Sequence, residues 1–166
     1  MEEGIFSING RISRSTYLVR WACIKIPYYI IYWIIVCLTV FFSGISMYGL
    51  LSGTTGTEII AGSMLIVMAG IGLLAFIIHL VLLLPQIVKR LHDMDKSGQF
   101  ALVFLLGWIL VSVLEFIPII GIIFSILWLV LRIIFFLILV ISEGTVGNNQ
   151  YGEDPEKRIS YDKSGI

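Results

Sequence analysis

The sequence predicts an all-α integral membrane protein, a bundle of four transmembrane helices with both termini in the cytoplasm and helices three and four joined as a tight hairpin. Three observations lead there. The first is composition: of 166 residues, 58% are hydrophobic and 13% charged, with a mean hydropathy of +1.01. A soluble domain carries roughly 25% charged residues, so this chain cannot cover a globule of its size with a solvated surface. The second is a set of long apolar runs. The third is the one-sided placement of Lys and Arg.

The same arithmetic excludes other classes. Disorder requires low hydrophobicity and high net charge. A basic nucleic-acid binder is excluded by balance, with 11 Lys+Arg against 11 Asp+Glu. Two cysteines, Cys23 and Cys37, cannot staple a secreted module; they lie on one helical stretch about 21 Å apart along the axis, beyond disulfide reach.

The elements follow in order. Residues 1–25 form a cytoplasmic N-terminal segment, in which 13–25, ahead of Pro27, can form a short helix lying on the inner interface with Tyr17, Val19 and Trp21 dipping in. Residues 26–51 hold no charge and form the first span. About 20 apolar residues suffice to cross the hydrocarbon. The run is too long for a signal-peptide core and no small-residue cleavage motif follows it, so it is expected to be retained. Residues 59–84 form the second span, and 85–99 a cytoplasmic loop. The run from Phe100 to Ile141 would be about 63 Å long as one helix, roughly twice the core thickness. Pro118 and Gly121 divide it, giving spans over 100–116 and 119–141. Residues 142–166 form a cytoplasmic tail.

Orientation comes from the basic residues. Arg11, Arg14, Arg20 and Lys25 precede the first span. Lys89, Arg90 and Lys96 lie in the middle loop, and Lys157, Arg158 and Lys163 in the tail. The two outer connections contain no Lys or Arg, so ten of the eleven basic residues share one side. The eleventh, Arg132, lies inside the last span.

Three polar segments thus meet at the cytoplasmic surface: Phe6-Ser7-Ile8-Asn9-Gly10-Arg11-Ile12-Ser13-Arg14, Arg90-Leu91-His92-Asp93 with Ser97-Gly98, and Gly144 to Pro155 containing Asn149-Gln150-Tyr151-Gly152-Glu153-Asp154. Together they resemble the YhaH-type bacterial inner-membrane proteins, the family known as domain of unknown function 805. The resemblance covers nearly the whole chain and is carried most specifically by R-L-H-D-x-x-x-S-G. Lys89 stands where a second Arg is common, and Asp95 and Arg132 are additions to the pattern. The resemblance implies fold, topology and an inner-membrane location; the family carries no agreed reaction.

The candidate site residues are therefore Arg11, Arg14, Arg90, His92, Asp93, Ser97, Asn149, Tyr151 and Asp154. Arg90 and Asp93 stand at i, i+3 and can pair on a helix, a contact worth about 0–1 kcal/mol at a surface. One reading is a structural clasp holding the cytoplasmic helix ends together. A second is an anion site in which Arg11, Arg14 and Arg90 converge on a lipid phosphate. A third is a lipid-directed enzyme using His92 and Asp93. The clasp ranks first and catalysis last: adjacent helical side chains point about 100° apart, so Asp93 is poorly placed to orient His92. With only His79 and His92, no metal-ligand spacing of known type occurs, and no cofactor or metal is expected. The expected partners are membrane lipids, anionic headgroups among them, and no nucleic acid. A homo-oligomer fits the pattern, since four short helices leave little room for a monomeric channel or transporter.

The intramembrane polar residues are His79, Glu115 and Arg132. His79 is expected to be neutral and bonded to a backbone carbonyl or hydroxyl. Glu115 is expected near the outer turn, too far along the hairpin to pair with Arg132. Arg132 is expected to snorkel toward the inner face.

Overall fold

The computed structural model describes residues 4–53, 56–114, 117 and 119–156. It is all-α, with four helices in the order α1 (Arg14–Ser52), α2 (Thr57–Asp93), α3 (Gln99–Leu114) and α4 (Ile120–Ile141). Three of them, α1, α2 and α4, are long and apolar enough to cross a membrane. α3 has 16 residues, about 24 Å of helix, and is the shorter fourth.

Two sequence expectations are corrected here. No separate interfacial helix precedes Pro27: α1 is continuous from Arg14 through the proline. Pro27 withdraws only the bond to the carbonyl of residue 23, a loss that membrane helices tolerate. Likewise the middle loop expected at 85–99 is helical as far as Asp93, because α2 runs through Pro85. The connection to α3 shrinks to residues 94–98. Its sharp turn uses Asp95 in the left-handed region (φ 56°), and the Lys96 amide closes back on the Leu91 carbonyl at 2.9 Å, as at a glycine C-cap. Glu115, Lys157, Arg158 and Lys163 lie outside the described residues.

The described residues fall into two compact units. One, within 22–82, contains the long apolar parts of α1 and α2 running antiparallel: Lys25 meets His79 at 3.1 Å, and Gly72 lies against Ile35. The other, within 1–21 and 83–166, contains the α3–α4 hairpin. There Phe104 stacks on Phe135 with ring centroids 3.8 Å apart. Gly107 gives the Trp128 ring its place, since a Cβ at 107 would sit 2.4 Å from it. The core of this unit is Ile12, Tyr17, Leu91, Ala101 and Leu139, with Trp21, Phe135 and Phe136 packed against it.

Large apolar side chains cover the outside of every helix, Trp33, Val40, Ile66, Leu110 and Ile122 among them. The buried side chains are in part polar and ionic: Arg90, Lys89, Gln86 and Asp93 are among the largest that are fully buried. Apolar outside with polar groups paired inside is the arrangement a lipid solvent selects.

Candidate functional site

The site forms where α2 and α4 end and the chain on either side of the helices returns to them. Every helix leaves its last carbonyls without intrahelical partners. At the end of α2, Asn149 Nδ2 donates to the His92 carbonyl at 2.8 Å. The Thr145 amide donates to the Asp93 carbonyl at 2.8 Å, and Thr145 Oγ1 donates to the same carbonyl at 3.1 Å. At the end of α4 the donor is Arg90, whose Nε bonds the Leu139 carbonyl at 2.7 Å and whose Nη2 bonds the Ser142 carbonyl. A guanidinium there also opposes the negative end of the helix dipole.

Asp93 is the node. Its Oδ1 accepts from Arg11 Nε at 3.2 Å and Nη2 at 3.0 Å, and its Oδ2 accepts from Arg90 Nη1. The side chains of all three are essentially inaccessible: 0% for each arginine and 1% for Asp93. The i, i+3 pair anticipated at a surface is therefore buried, because Arg11 and the 139–152 segment close over it. Arg11 spends its remaining donors on the carbonyls of Thr145 at 2.6 Å, Gly147 at 2.7 Å and Gly152 at 3.3 Å. One carboxylate and these backbone carbonyls share the charge of two guanidiniums, the pairing that buried arginines require.

Local conformation makes this geometry possible. Gly10, at φ 87°, turns the chain so that Arg11 points inward before α1 begins at Arg14. Gly144 is needed for closeness: a Cβ there would lie 2.0 Å from Asp93 Oδ2. Asp154, buried, accepts from the Gly147 amide at 3.0 Å and the Glu156 amide at 2.9 Å, which holds the loop carrying Asn149 and Tyr151. Tyr151 stacks flat on His92, centroids 3.9 Å apart and planes 3° from parallel. His92 Nδ1 lies 3.3 Å from the Gly10 carbonyl, which places its proton on Nδ1. Burial pushes the His92 imidazole below its ordinary pKa, against a smaller upward pull from the Gly10 carbonyl.

Of the residues singled out in the sequence, Arg11, Arg90, His92, Asp93, Asn149, Tyr151 and Asp154 are thus brought together. Arg14 is not. It opens α1 with half its side chain exposed and lies 3.9 Å from the exposed Glu143, so three arginines do not converge on one point. Ser97 is set apart too: its Oγ accepts from the Gln99 amide at 3.2 Å, at the start of α3.

Sequence reasoning missed Gln86 and Lys89. Both are fully buried and reach back to the N-terminal segment, Gln86 to the Ile5 carbonyl at 2.8 Å and Lys89 to the Gly4 carbonyl at 3.0 Å. Their signal was their place two and five residues after the apolar run ends at Leu84 and, for Lys89, its position just before Arg90-Leu91-His92-Asp93. Thr145 was visible in the third motif, but its double role as donor to Asp93 and acceptor from Arg11 was not.

Of the intramembrane residues, His79 is buried, meets Lys25 rather than a carbonyl, and stacks on Tyr28 at 4.1 Å. Arg132 stands exposed on α4, with no ion-pair or hydrogen-bond partner among the described residues.

Apolar helices of spanning length, with a buried ionic knot at the ends of two of them, define an integral membrane protein. Residues 5–153 match the family described as Protein of unknown function (DUF805), and the chain belongs to that family. It is 41% identical over 69 residues to the inner membrane protein YhaI of Escherichia coli strain K12, a stretch that is 42% of this chain and 40% of that relative. The YhaI protein of Escherichia coli O157:H7 matches to the same extent. The chain thus spans well under half the length of the curated relatives it matches. No solved structure matches.

Proposed function

We propose that the chain is a non-enzymatic component of the inner membrane with four spans and cytoplasmic termini, and that its Arg11–Asp93–Arg90 knot serves assembly. It clasps the N-terminal segment, the end of α2 and the segment after α4 into one cytoplasmic face. The observation that supports this most is the consumption of donors. Arg11 and Arg90 are spent on Asp93 and on backbone carbonyls, so a lipid phosphate would have to displace contacts already made. Asp93 is likewise spent on two guanidiniums, which weighs against a His92–Asp93 base.

The test is thermal unfolding in mild detergent with added phosphatidylglycerol or phosphatidylcholine. A clasp gives the same Tm in both lipids and a large loss of Tm in Asp93→Ala. A rise specific to phosphatidylglycerol that vanishes in Arg11→Met would replace the clasp with a headgroup site.

A second reading, an oligomeric channel or transporter, draws on Arg132. A mid-span arginine on a lipid-facing surface costs about 2.5–3.5 kcal/mol on insertion scales, and a neighbouring copy could offset that cost. Native mass spectrometry from mild detergent decides it: a monomer removes this reading, and a defined oligomer lost in Arg132→Leu supports it.

A further inference from the structure

The N-terminal segment carries an apolar feature that the clasp does not use. Residues 4–7 make a turn closed by the Ser7 amide on the Gly4 carbonyl at 3.1 Å. Its two central positions are Ile5 and Phe6, and Ile8 follows. All three are exposed, Phe6 by 68%. Turn tips that face water favour Gly, Pro, Asn, Asp and Ser; this one presents an isoleucine and a phenylalanine.

The turn is not loose. Its inner side is bolted by two fully buried side chains, Gln86 on the Ile5 carbonyl and Lys89 on the Gly4 carbonyl. Gln86 is itself held by Arg20 Nη1 at 3.1 Å. Gln86 and Lys89 stand two and five residues beyond Leu84, where the apolar run of α2 ends. At 1.5 Å per residue that is about 3 to 7.5 Å past the hydrocarbon edge, within the layer where interfacial side chains sit.

We infer that the Ile5-Phe6-Ile8 turn inserts into the interface of the bilayer as a fixed apolar wedge. The backbone bonds set its depth, and its side chains meet lipid. Leu18 and Val19, on the first turns of α1 in the same unit, are exposed apolar side chains as well. Three side chains on and just after one turn are far short of the roughly 800 Å² that each partner contributes to a stable protein interface, which favours lipid over a second copy. The inference rests on α2 leaving the membrane near Leu84 and is independent of the clasp.

The experiment is spin labelling in proteoliposomes. Phe6→Cys is introduced with Cys23→Ser and Cys37→Ser, and the accessibility of the label to oxygen and to a water-soluble nickel complex is read. Val40→Cys in the same background marks lipid, and Glu153→Cys marks water. The wedge predicts a label accessible to oxygen and shielded from nickel, like Val40→Cys but shallower. A label as open to nickel as Glu153→Cys overturns the inference. So does a label immobilised and shielded from both reagents, which would mean that protein covers the turn.

Discussion

Asp93 carries more consequence than any other side chain because two buried guanidiniums depend on it. Breaking a buried pair by deleting one partner is costly, about 3–5 kcal/mol, because the charge left behind is unsolvated. Asp93→Ala is therefore expected to lose that order of stability in reversible unfolding in detergent. Arg14→Ala, at an exposed pair, is expected to stay within about 0.5 kcal/mol. Equal losses would contradict the assignment of Asp93 as the node. His92 adds a pH dependence. Burial lowers its folded pKa, so the unfolded chain takes up the proton first as pH falls. The contribution of neutral His92 is complete above its unfolded value of about 6.5 and is lost on acidification toward the folded value. Tm measured at about pH 7.5 and about pH 5 should fall more in the wild type than in His92→Gln; parallel falls would mean that His92 does not titrate on folding. At this scale the sequence revealed the right residue types but not their roles. Arg11 and Arg14 look alike in the motif, and only the turn at Gly10 and the start of α1 send one inward and the other outward. The i, i+3 spacing gave the Arg90–Asp93 pair, whereas its burial depended on a segment some fifty residues later in the chain.

The helices were legible because lipid demands an unmistakable pattern: long apolar runs interrupted by Pro, Gly and charge. The division of 100–141 into α3 and α4 was readable from length, since one helix would overshoot the bilayer, and from the Pro and Gly in the middle of the run. Pro27 misled as a limit for a separate interfacial helix, and the end of the apolar run at Leu84 misled as the end of α2: the backbone stays helical through both Pro27 and Pro85. Helix ends were the least readable feature. α2 owes its last turn at His92 and Asp93 to capping by Thr145 and Asn149, contacts that no local propensity encodes. Gly144 tests this element directly. Its φ is ordinary, so Gly144→Ala acts only through the Cβ that would strike the Asp93 carboxylate. The expected result is a Tm loss close to that of Asp93→Ala and little further loss in the double variant, because both break the same contact. Fully additive losses would show that the 144–152 segment and Asp93 are not coupled.

For the whole molecule, the composition already required an apolar exterior, and the structure adds that the interior is ionic where helices end. The placement of ten basic residues on one side predicts the topology by the positive-inside rule. Single cysteines at Lys96 and Lys157, in a background lacking Cys23 and Cys37, should be inert to an impermeant maleimide in intact spheroplasts and should react after lysis. Labelling from outside at either position would overturn the four-span arrangement. The clasp makes a further demand, that three parts of the chain distant in sequence be protected as one. Hydrogen–deuterium exchange of the wild type and Asp93→Asn, in the same detergent, measures this most directly. In the variant, residues 10–13, the last turn of α2 and residues 144–152 are expected to lose protection together, while the α3–α4 hairpin keeps its own. Loss confined to the immediate neighbours of residue 93, with 10–13 and 144–152 as protected as before, would contradict it.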